Sequence, residues 1–549
     1  MGQKYEVWHS RSSCSPETDF QVGELIKTSR SFEEIEKLEY GDHGLEMARN
    51  AIKKAIQSKQ RIALYADYDV DGTMSCVSWV WFFNAIGFSN FIHYIPCRFK
   101  EGYGLNLDAV KYLVEDEKAD LIITMDTGIT ANEEAAWCRE QGVTFICTDH
   151  HKIQPDKMPD CIILNPKMHP DPIYQELCGC GITFVLLRQL GNDFPISMKD
   201  WTDILALVGM ATICDVVPLN GVNHKLARSG VQALLKSERN VLRSLRESCS
   251  VKYNLDEKDV GFRVGPRINA VGRLDHADAV VKAFTQNDPD ELVAFMDQCN
   301  EERKLIQSRI YSEAILDAEK YADDPILFLG GDWHPGVVGI AATKLVERFW
   351  KPVWLFCRKD DVCKGSARSI PGFDVTDAMS AAANMFTKFG GHAAAGGYSF
   401  DKSNEDSIRN CIIKFAHNHR QQFPQKWISQ TTFDLTLPGD LVSMSLADTL
   451  DSMKPFGHGF EEPVFKIEGD VINVIYFKDK VTGEPKHTKL TIASTAGLKQ
   501  TIMFFNEVYD SLESCDRIET LVTAGKNRWQ GRTTLSLIGV DWRNLSDQD

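Results

Sequence analysis

Short apolar runs that end in acid constrain this chain more than any other feature. Residues 61–66 lead into Asp67, Asp69 and Asp71 of ADYDVDG (66–72). Residues 121–125 lead into Asp126 of MDTGI (125–129), and residues 144–148 into Asp149, His150 and His151 of TDHHK (148–152). Residues 162–164 form a further run, and helical patterns lie between several of these runs. Strands alternating with helices predict a parallel sheet with helices on both faces. Asp67, Asp126 and Asp149 then fall at or just past the C-terminal ends of strands, where open α/β sheets bind ligands. Asp215 lies in another apolar stretch, ATICDVVPL (211–219). A carboxylate placed there demands a partner or a cation.

Carboxylates with a few imidazoles suit Mg²⁺ or Mn²⁺ better than zinc. Two such ions side by side are the usual apparatus for hydrolysing phosphate esters. ADYDVDG read alone fits equally well a turn whose carboxylates cap a helix. It is not an EF-hand loop, because the twelfth position counted from Asp67 is Ser78. The adjacent His150 and His151 diverge, so one can ligate a metal while the other faces substrate or a supporting carboxylate. Cys178 and Cys180 form the only close cysteine pair, and no structural zinc site is expected.

With 549 residues the chain is too long for one ordinary domain. Its 61 Lys and Arg against 77 Asp and Glu leave a net charge of −16, so any nucleic-acid contact must use a local basic groove. The start, MGQKYEVWHSRSS, lacks the apolar core of a signal peptide. The most apolar stretch, 76–88, is too short to span a bilayer and is broken by Ser78 and Asn84. The 15 scattered cysteines fit thiols in a reducing cytoplasm. No membrane association is expected.

Residues 1–45 read as a lead-in and 46–285 as a catalytic domain that begins with an amphipathic helix over 45–59. Residues 286–322 read as a connecting helix, because 291–320 is charged and lacks Gly and Pro. Residues 323–425 read as a second α/β domain, with strands at 326–329 and 353–356 and helices at 339–348 and 407–422. Within it FGGHAAAGG (389–397) is too glycine-rich for a helix interior and fits a loop that a ligand approaches closely. Residues 426–549 alternate apolar and polar residues in short runs, as a small β-barrel or sandwich does.

Taken in order, DYDVDG, DTG, DHH and DVVPL resemble the first four motifs of the DHH phosphoesterase superfamily, and most closely those of the RecJ exonucleases. The resemblance continues through GPRINAVGRL (265–274), WHPGVVGI (333–340), GSARS (365–369) and GGHAAAGG (390–397). FGHGFEEPVF (456–465) resembles the junction that leads into an oligonucleotide-binding barrel. The implied fold is a DHH parallel-sheet domain joined by a long helix to a DHH-associated α/β domain, followed by a C-terminal OB-like β-barrel. The implied activity is 5′→3′ hydrolysis of single-stranded DNA in repair and recombination, by a monomer working beside a helicase and a single-strand-binding protein.

The resemblance also implies residue roles. Asp69, Asp71, Asp126, His150 and Asp215 would hold two divalent cations, Mn²⁺ or Mg²⁺, with Asp126 as the bridge. Asp67 and His151 would orient water or ligands. Arg98, Ser366 and Arg368 would grip the 5′-phosphate, Arg267, Asn269 and Arg273 would track the backbone, and Gly391 and His392 would meet the scissile region. Phe477, Phe504, Phe505 and Trp529 are base-stacking candidates in the barrel, although core packing competes for most of them. Two departures stand out: Tyr65 replaces a His that many members use as a ligand, and the junction near Phe460 lacks a common Asn, read as a packing change. A phosphodiesterase of short oligonucleotides or cyclic dinucleotides would share the metal site without needing the barrel. A non-catalytic replication scaffold would have lost ligands that this chain keeps.

Overall fold

The computed structural model describes residues 4–545 apart from 103, 252–253, 360, 481, 495 and 530. The chain separates into two units, one mainly residues 8–297 with 432–549, the other mainly 298–431.

In the first unit, helices α1 (Asp19–Ser29) and α2 (Leu45–Gln57) precede a five-stranded parallel sheet. Its strands are β1 (Ile62–Ala66), β2 (Phe91–Tyr94), β3 (Leu121–Met125), β4 (Thr144–Thr148) and β5 (Ile162–Leu164), in spatial order β2-β1-β3-β4-β5. β1 and β3 are buried along their whole length, as their unbroken apolar sequences require in a sheet covered on both faces. Helix α3 (Val70–Ala85) follows β1 and is buried nearly all round. Helices α4 (Gly179–Leu190), α5 (Met198–Cys214) and α6 (Gly265–Leu274) come after the sheet. The long helix α7 spans Asp290–Ala318, close to the run expected for the connector.

The second unit carries a mixed sheet of β6 (Leu327–Gly331), β7 (Val353–Lys359), β8 (Val362–Arg368), β9 (Lys388–His392) and β10 (Ala395–Asp401), in order β9-β10-β8-β7-β6. Helix α8 (Val338–Phe349) connects β6 to β7. The glycine-rich 389–397 segment is not a loop: it forms the β9–β10 hairpin, with Gly390 opposite Gly397 and His392 opposite Ala395. Tyr398 and Phe400 alternate inward on β10 and supply the burial that holds this hairpin.

The C-terminal part of the first unit is a closed five-stranded barrel. β11 (Val464–Lys478), β12 (Pro485–Ser494), β13 (Lys499–Phe504), β14 (Arg517–Trp529) and β15 (Arg532–Asn544) pair in order β11-β12-β13-β15-β14, and β14 returns to β11. The single parallel pairing, β13 with β15, and this closure are the oligonucleotide-binding barrel pattern. Phe465, Ile467, Leu490, Ile502, Phe504 and Leu537 fill it, and Val22 and Ile26 of α1 join the same core. Phe460 is fully buried against Phe32, with ring centroids 4.2 Å apart, consistent with a packing change at the junction. Among the described residues, no helix is long and apolar enough to cross a membrane.

Candidate metal centre

The three acids at the strand ends stand in a row because the sheet ladder continues one residue past each strand. Asp67 N–H donates to the Met125 carbonyl (3.2 Å), Asp126 N–H to Thr148 (3.0 Å) and Asp149 N–H to Leu164 (3.2 Å). The strand order reverses between β1 and β3, so Asp67 and Asp126 flank the crevice where such sheets bind ligands. Asp126 has φ of +59° and Val216, beside Asp215, also has +59°. Such backbone is uncommon outside glycine and worst for a β-branched residue; it concentrates at functional sites.

Two helix N-termini then arrange the carboxylates. Asp69 is the N-cap of α3, and its side chain accepts from the Asp71 and Gly72 amides at 2.9 and 3.2 Å. The capping residue is thus also one of the expected ligands. Asp71, in the first turn of α3, accepts from the Gly179 amide (2.5 Å) and the Cys180 amide (2.7 Å) at the start of α4. A Cβ on Gly179 would lie 2.8 Å from Asp126 Cβ and 3.0 Å from Asp71 Oδ2. Sequence reasoning noticed Cys178 and Cys180 and passed over the glycine between them, whose missing side chain lets the backbone approach Asp126 and Asp71. Cys178 serves as the N-cap of α4 through its sulfur. Asp215 is the C-cap of α5.

These elements bring together all the expected ligands. His150 Nε2 lies 3.1 Å from Asp126 Oδ1, 3.5 Å from Asp215 Oδ2 and 3.8 Å from Asp71 Oδ2. Three overlapping groups have ligand atoms within 4.8 Å of one another: Asp67, Asp69 and Asp126; Asp71, His150 and Asp215; and Asp126, His150 and His151. Asp67, expected to orient ligands, therefore stands in a ligand group itself. Asp67 Oδ1, Asp126 Oδ1, Asp215 Oδ2 and His150 Nε2 are buried without a hydrogen-bond partner. Leaving so many polar atoms unsatisfied in one place is costly unless a cation completes them.

The electrostatics agree. Burial, reinforced by the neighbouring carboxylates, pushes Asp71 up to about 7, Asp215 up to about 9, and Asp67 and Asp126 well above the usual carboxylate range. Burial drops His150 to about 3, so its imidazole is neutral and able to ligate. Cys178 and Cys214 lie near the acids, but burial raises both thiols, so neither offers a thiolate. Oxygen donors with neutral imidazole fit Mn²⁺ or Mg²⁺.

Asp149 is used differently from the other acids. It accepts from His151 Nδ1 (2.7 Å), the His151 amide (3.0 Å) and the Ile129 amide (2.9 Å). Burial alone would raise it, yet these bonds hold it below its ordinary value. Burial works against the His151 charge, but the Asp149 bond and the surrounding acids raise that imidazole overall. Tyr65 takes no part: it is fully buried, stacks on Tyr94 at 5.3 Å, and its hydroxyl donates to the Gly104 carbonyl at 3.4 Å.

Among the basic residues of the first unit, Arg98 lies over the Tyr68 ring at 5.1 Å, between Asp67 and Asp69 in sequence. Arg273 acts electrostatically on the same phenol. Asn269 is half-buried on α6. The Arg267 guanidinium donates to Asp297 at 2.5 Å and to the Arg263 and Ser248 carbonyls. In the second unit, Ser366 and Arg368 share one face of β8, two residues apart. Gly339, at the start of α8, makes room for them: a Cβ there would lie 2.9 Å from Arg368 Nη2 and 3.1 Å from Ser366 Oγ. Gly391 has φ of +145°, and His392 ends β9 exposed. In the barrel, Phe504 is buried core and so is no stacking platform, whereas Phe477 and Phe505 are about half exposed. The Trp529 side chain lies outside the described residues.

Comparison with known proteins was made against this geometry. The DHH family N-terminal domain model matches residues 61–211, the DHHA1 domain model 323–418 and the RecJ OB domain model 433–541. The single-stranded-DNA-specific exonuclease RecJ of Bacillus subtilis is 32% identical over 510 residues, covering 91% of this chain and 63% of that protein. The chain therefore spans somewhat under two thirds of that relative's length. RecJ of Haemophilus influenzae is 30% identical over 488 residues, covering 83% of this chain and 82% of that protein. The crystal structure of RecJ in complex with Mn²⁺ from Thermus thermophilus superposes with a TM-score of 0.84 at 25% identity, over 98% of this chain and 79% of that one.

Proposed function

Because the chain belongs to the RecJ family of DHH phosphoesterases, we propose that it is a 5′→3′ exonuclease that hydrolyses phosphodiester bonds of single-stranded DNA. Its setting is DNA repair and recombination in the cytoplasm, where its 15 free cysteines would stay reduced. The observation that carries the reading is the set of buried, unpartnered ligand atoms on Asp67, Asp126, Asp215 and His150.

Asp69, Asp71, Asp126, His150 and Asp215 would hold two divalent cations, with Asp67 and His151 completing the surroundings. When bound, such ions acidify a water and offset charge on the phosphate. Gly179 and Cys180 hold Asp71 in place by their amides, so the site is organised before substrate arrives. Asp149 fixes the His151 ring with its Nδ1–H bonded, leaving a raised imidazole at the rim that can hold a proton for the leaving oxygen.

The strand end falls to the arginines. Arg98 and Arg273 add positive charge beside Tyr68, and Asn269 can bond a phosphate oxygen. Arg267, committed to Asp297, positions α6 rather than the strand. Ser366 and Arg368 receive the terminal 5′-phosphate, for which a planar guanidinium fork and a hydroxyl are suited. Gly391 and His392 lie on an open edge of the second unit's hairpin, and contact of His392 with the scissile phosphate is part of the reading. Phe477 and Phe505 offer exposed rings for stacking on the barrel. The enzyme works as a monomer, with a helicase and a single-strand-binding protein presenting the strand.

Digestion of oligonucleotides labelled at the 5′ or the 3′ end, with Mn²⁺ omitted and then restored, tests this reading. The expected result is metal-dependent release of the 5′ label first. Equal release from both ends, or none with metal present, overturns it. Comparable turnover of a dinucleotide and a long strand would favour the short-substrate phosphodiesterase instead.

A further inference from the structure

Phe262 is 81% exposed, more than any other large apolar side chain among the described residues. Single exposed apolar residues are ordinary, so exposure alone assigns nothing. Its setting is less ordinary. Phe262 sits in a π-helical turn, Val260–Val264, directly before α6. Such turns insert one extra residue and are frequent at functional sites.

That turn is fixed on its inner side. Val260 and Val264 are buried. A Cβ on Gly261 would touch Ile213 Cγ2 at 3.7 Å, and one on Gly265 would lie 2.3 Å from Cys214 Sγ. The turn therefore rests on the last residues of α5, immediately before the ligand Asp215. With that side anchored, Phe262 and Arg263 project outward.

The segment that carries Phe262 also has two well-defined ends. Upstream, Asn254 accepts from Arg528 of β14 at 2.8 Å, and Lys258 pairs with Glu462 at 2.8 Å. Downstream, a Cβ on Gly272 would lie 3.0 Å from the Tyr68 carbonyl, and Arg273 acts on the Tyr68 ring. The segment thus runs from the barrel to the acid cluster with an exposed phenyl ring midway. Steps of four, three and four residues bring Phe262, Pro266, Asn269 and Arg273 toward one stripe, so the ring is in line with polar groups that lead to the metal ligands.

We propose that Phe262 is a stacking platform for an unpaired nucleobase on the path from the acid cluster to the barrel. A base already stacked in a duplex cannot use it, so the residue adds to preference for single strands. This rests on the exonuclease reading above.

Strand binding measured in EDTA by fluorescence anisotropy, beside digestion in Mn²⁺, tests it with Phe262→Ala and Phe262→Trp. The expected result for Phe262→Ala is about tenfold weaker binding and a matching rise in KM with kcat kept, restored by Phe262→Trp. Scanning a single abasic site along the strand should find one position that weakens binding to the natural protein and leaves Phe262→Ala indifferent. Equal binding by Phe262→Ala and the natural protein, or identical abasic profiles, overturns the assignment. Failure of the natural protein to digest any strand would instead overturn the exonuclease reading, while the binding arm still decides the role of Phe262.

Discussion

The acid cluster of the first unit and the Ser366–Arg368 face of the second treat polar groups in opposite ways. In the cluster, backbone amides align the buried Asp71, while buried oxygens of Asp67, Asp126 and Asp215 are left without partners. The other face is built by subtraction: Gly339 makes room for Ser366 and Arg368, and the Gly390–Gly397 hairpin leaves its surface open. The first arrangement is unfavourable until cations arrive, so its purpose can be read from its energetics. The second carries no comparable penalty, and its purpose has to be read from the shape and charge of what would fit there. Charge placed to be neutralised should be intolerant of change, and an open gripping surface should be graded.

The largest effect should come from Asp126, which belongs to two of the three ligand groups. Asp126→Ala should reduce cleavage on the order of 10³-fold or more, since two of the three candidate ligand groups lose a member. Strand binding should hold or strengthen, because a negative charge facing phosphates is removed. Asp126→Asn is the needed companion, because Asn tolerates the +59° backbone better than Ala. Parallel loss of binding and activity in both variants would count against a ligand role and for a structural one.

Gly179 should come next. Gly179→Ala forces a methyl against Asp126 and Asp71 without removing any ligand. Disturbing the groups that orient ligands typically costs roughly 10–100-fold in metal affinity or activity. Isothermal titration with Mn²⁺ should show the loss as weaker metal binding. Cys178→Ser, one residue away, should retain metal binding, because a hydroxyl can take over both the helix cap and the thiol's hydrogen bond to Asp71. Equal behaviour of the two variants would mean that the close approach at Gly179 is unimportant.

The contrast in legibility follows the same line. Asp67, Asp126 and Asp149 were readable because apolar runs fix strands, and strand ends in parallel sheets fix the ligand edge. Gly179 was not readable, because the atoms it must avoid belong to Asp71 and Asp126, far away in sequence. Its only local cue is a run of small residues, Gly-Cys-Gly, at a helix start. The 389–397 hairpin was misread because glycine content outweighed the inward alternation of Tyr398 and Phe400 that follows it. The ion pair of Arg267 was not readable, because its partner, Asp297, comes 30 residues later on another helix. Phe504 and Phe505 could not be separated by pattern, because only the structure shows that β13 ends at Phe504, opposite Thr488, and that Phe505 begins the turn that follows.

On the open face, Arg368→Ala should weaken capture of 5′-phosphorylated strands about tenfold, the worth of a charge-assisted contact at a partly exposed site. Capture of 5′-hydroxyl strands should change much less. Competition between the two ends on one labelled strand measures the ratio directly. An identical loss on both ends would move Arg368 from end recognition to general backbone attraction and would blur the contrast between the two regions.

The smallest effect sharpens the contrast through pH. Burial raises Asp71 to about 7 and Asp215 to about 9, against ~3.9 in an unfolded chain. A carboxyl with a raised folded pKa contributes stability that is complete below the unfolded value and is lost as pH rises through the folded one. Metal-free protein should therefore melt a few degrees lower near pH 9 than near pH 5, and Asp215→Asn should flatten the upper part of that slope. Saturating Mn²⁺ should reverse the trend, because cations favour the ionised acids and bind better as protons leave. Among the described residues the Ser366–Arg368 face holds no carboxyl of this kind, so Arg368→Ala should leave the slope untouched. A metal-free melting temperature that rises steadily over this range would mean the acids are already ionised and paired without cations, and the difference between the two regions would disappear.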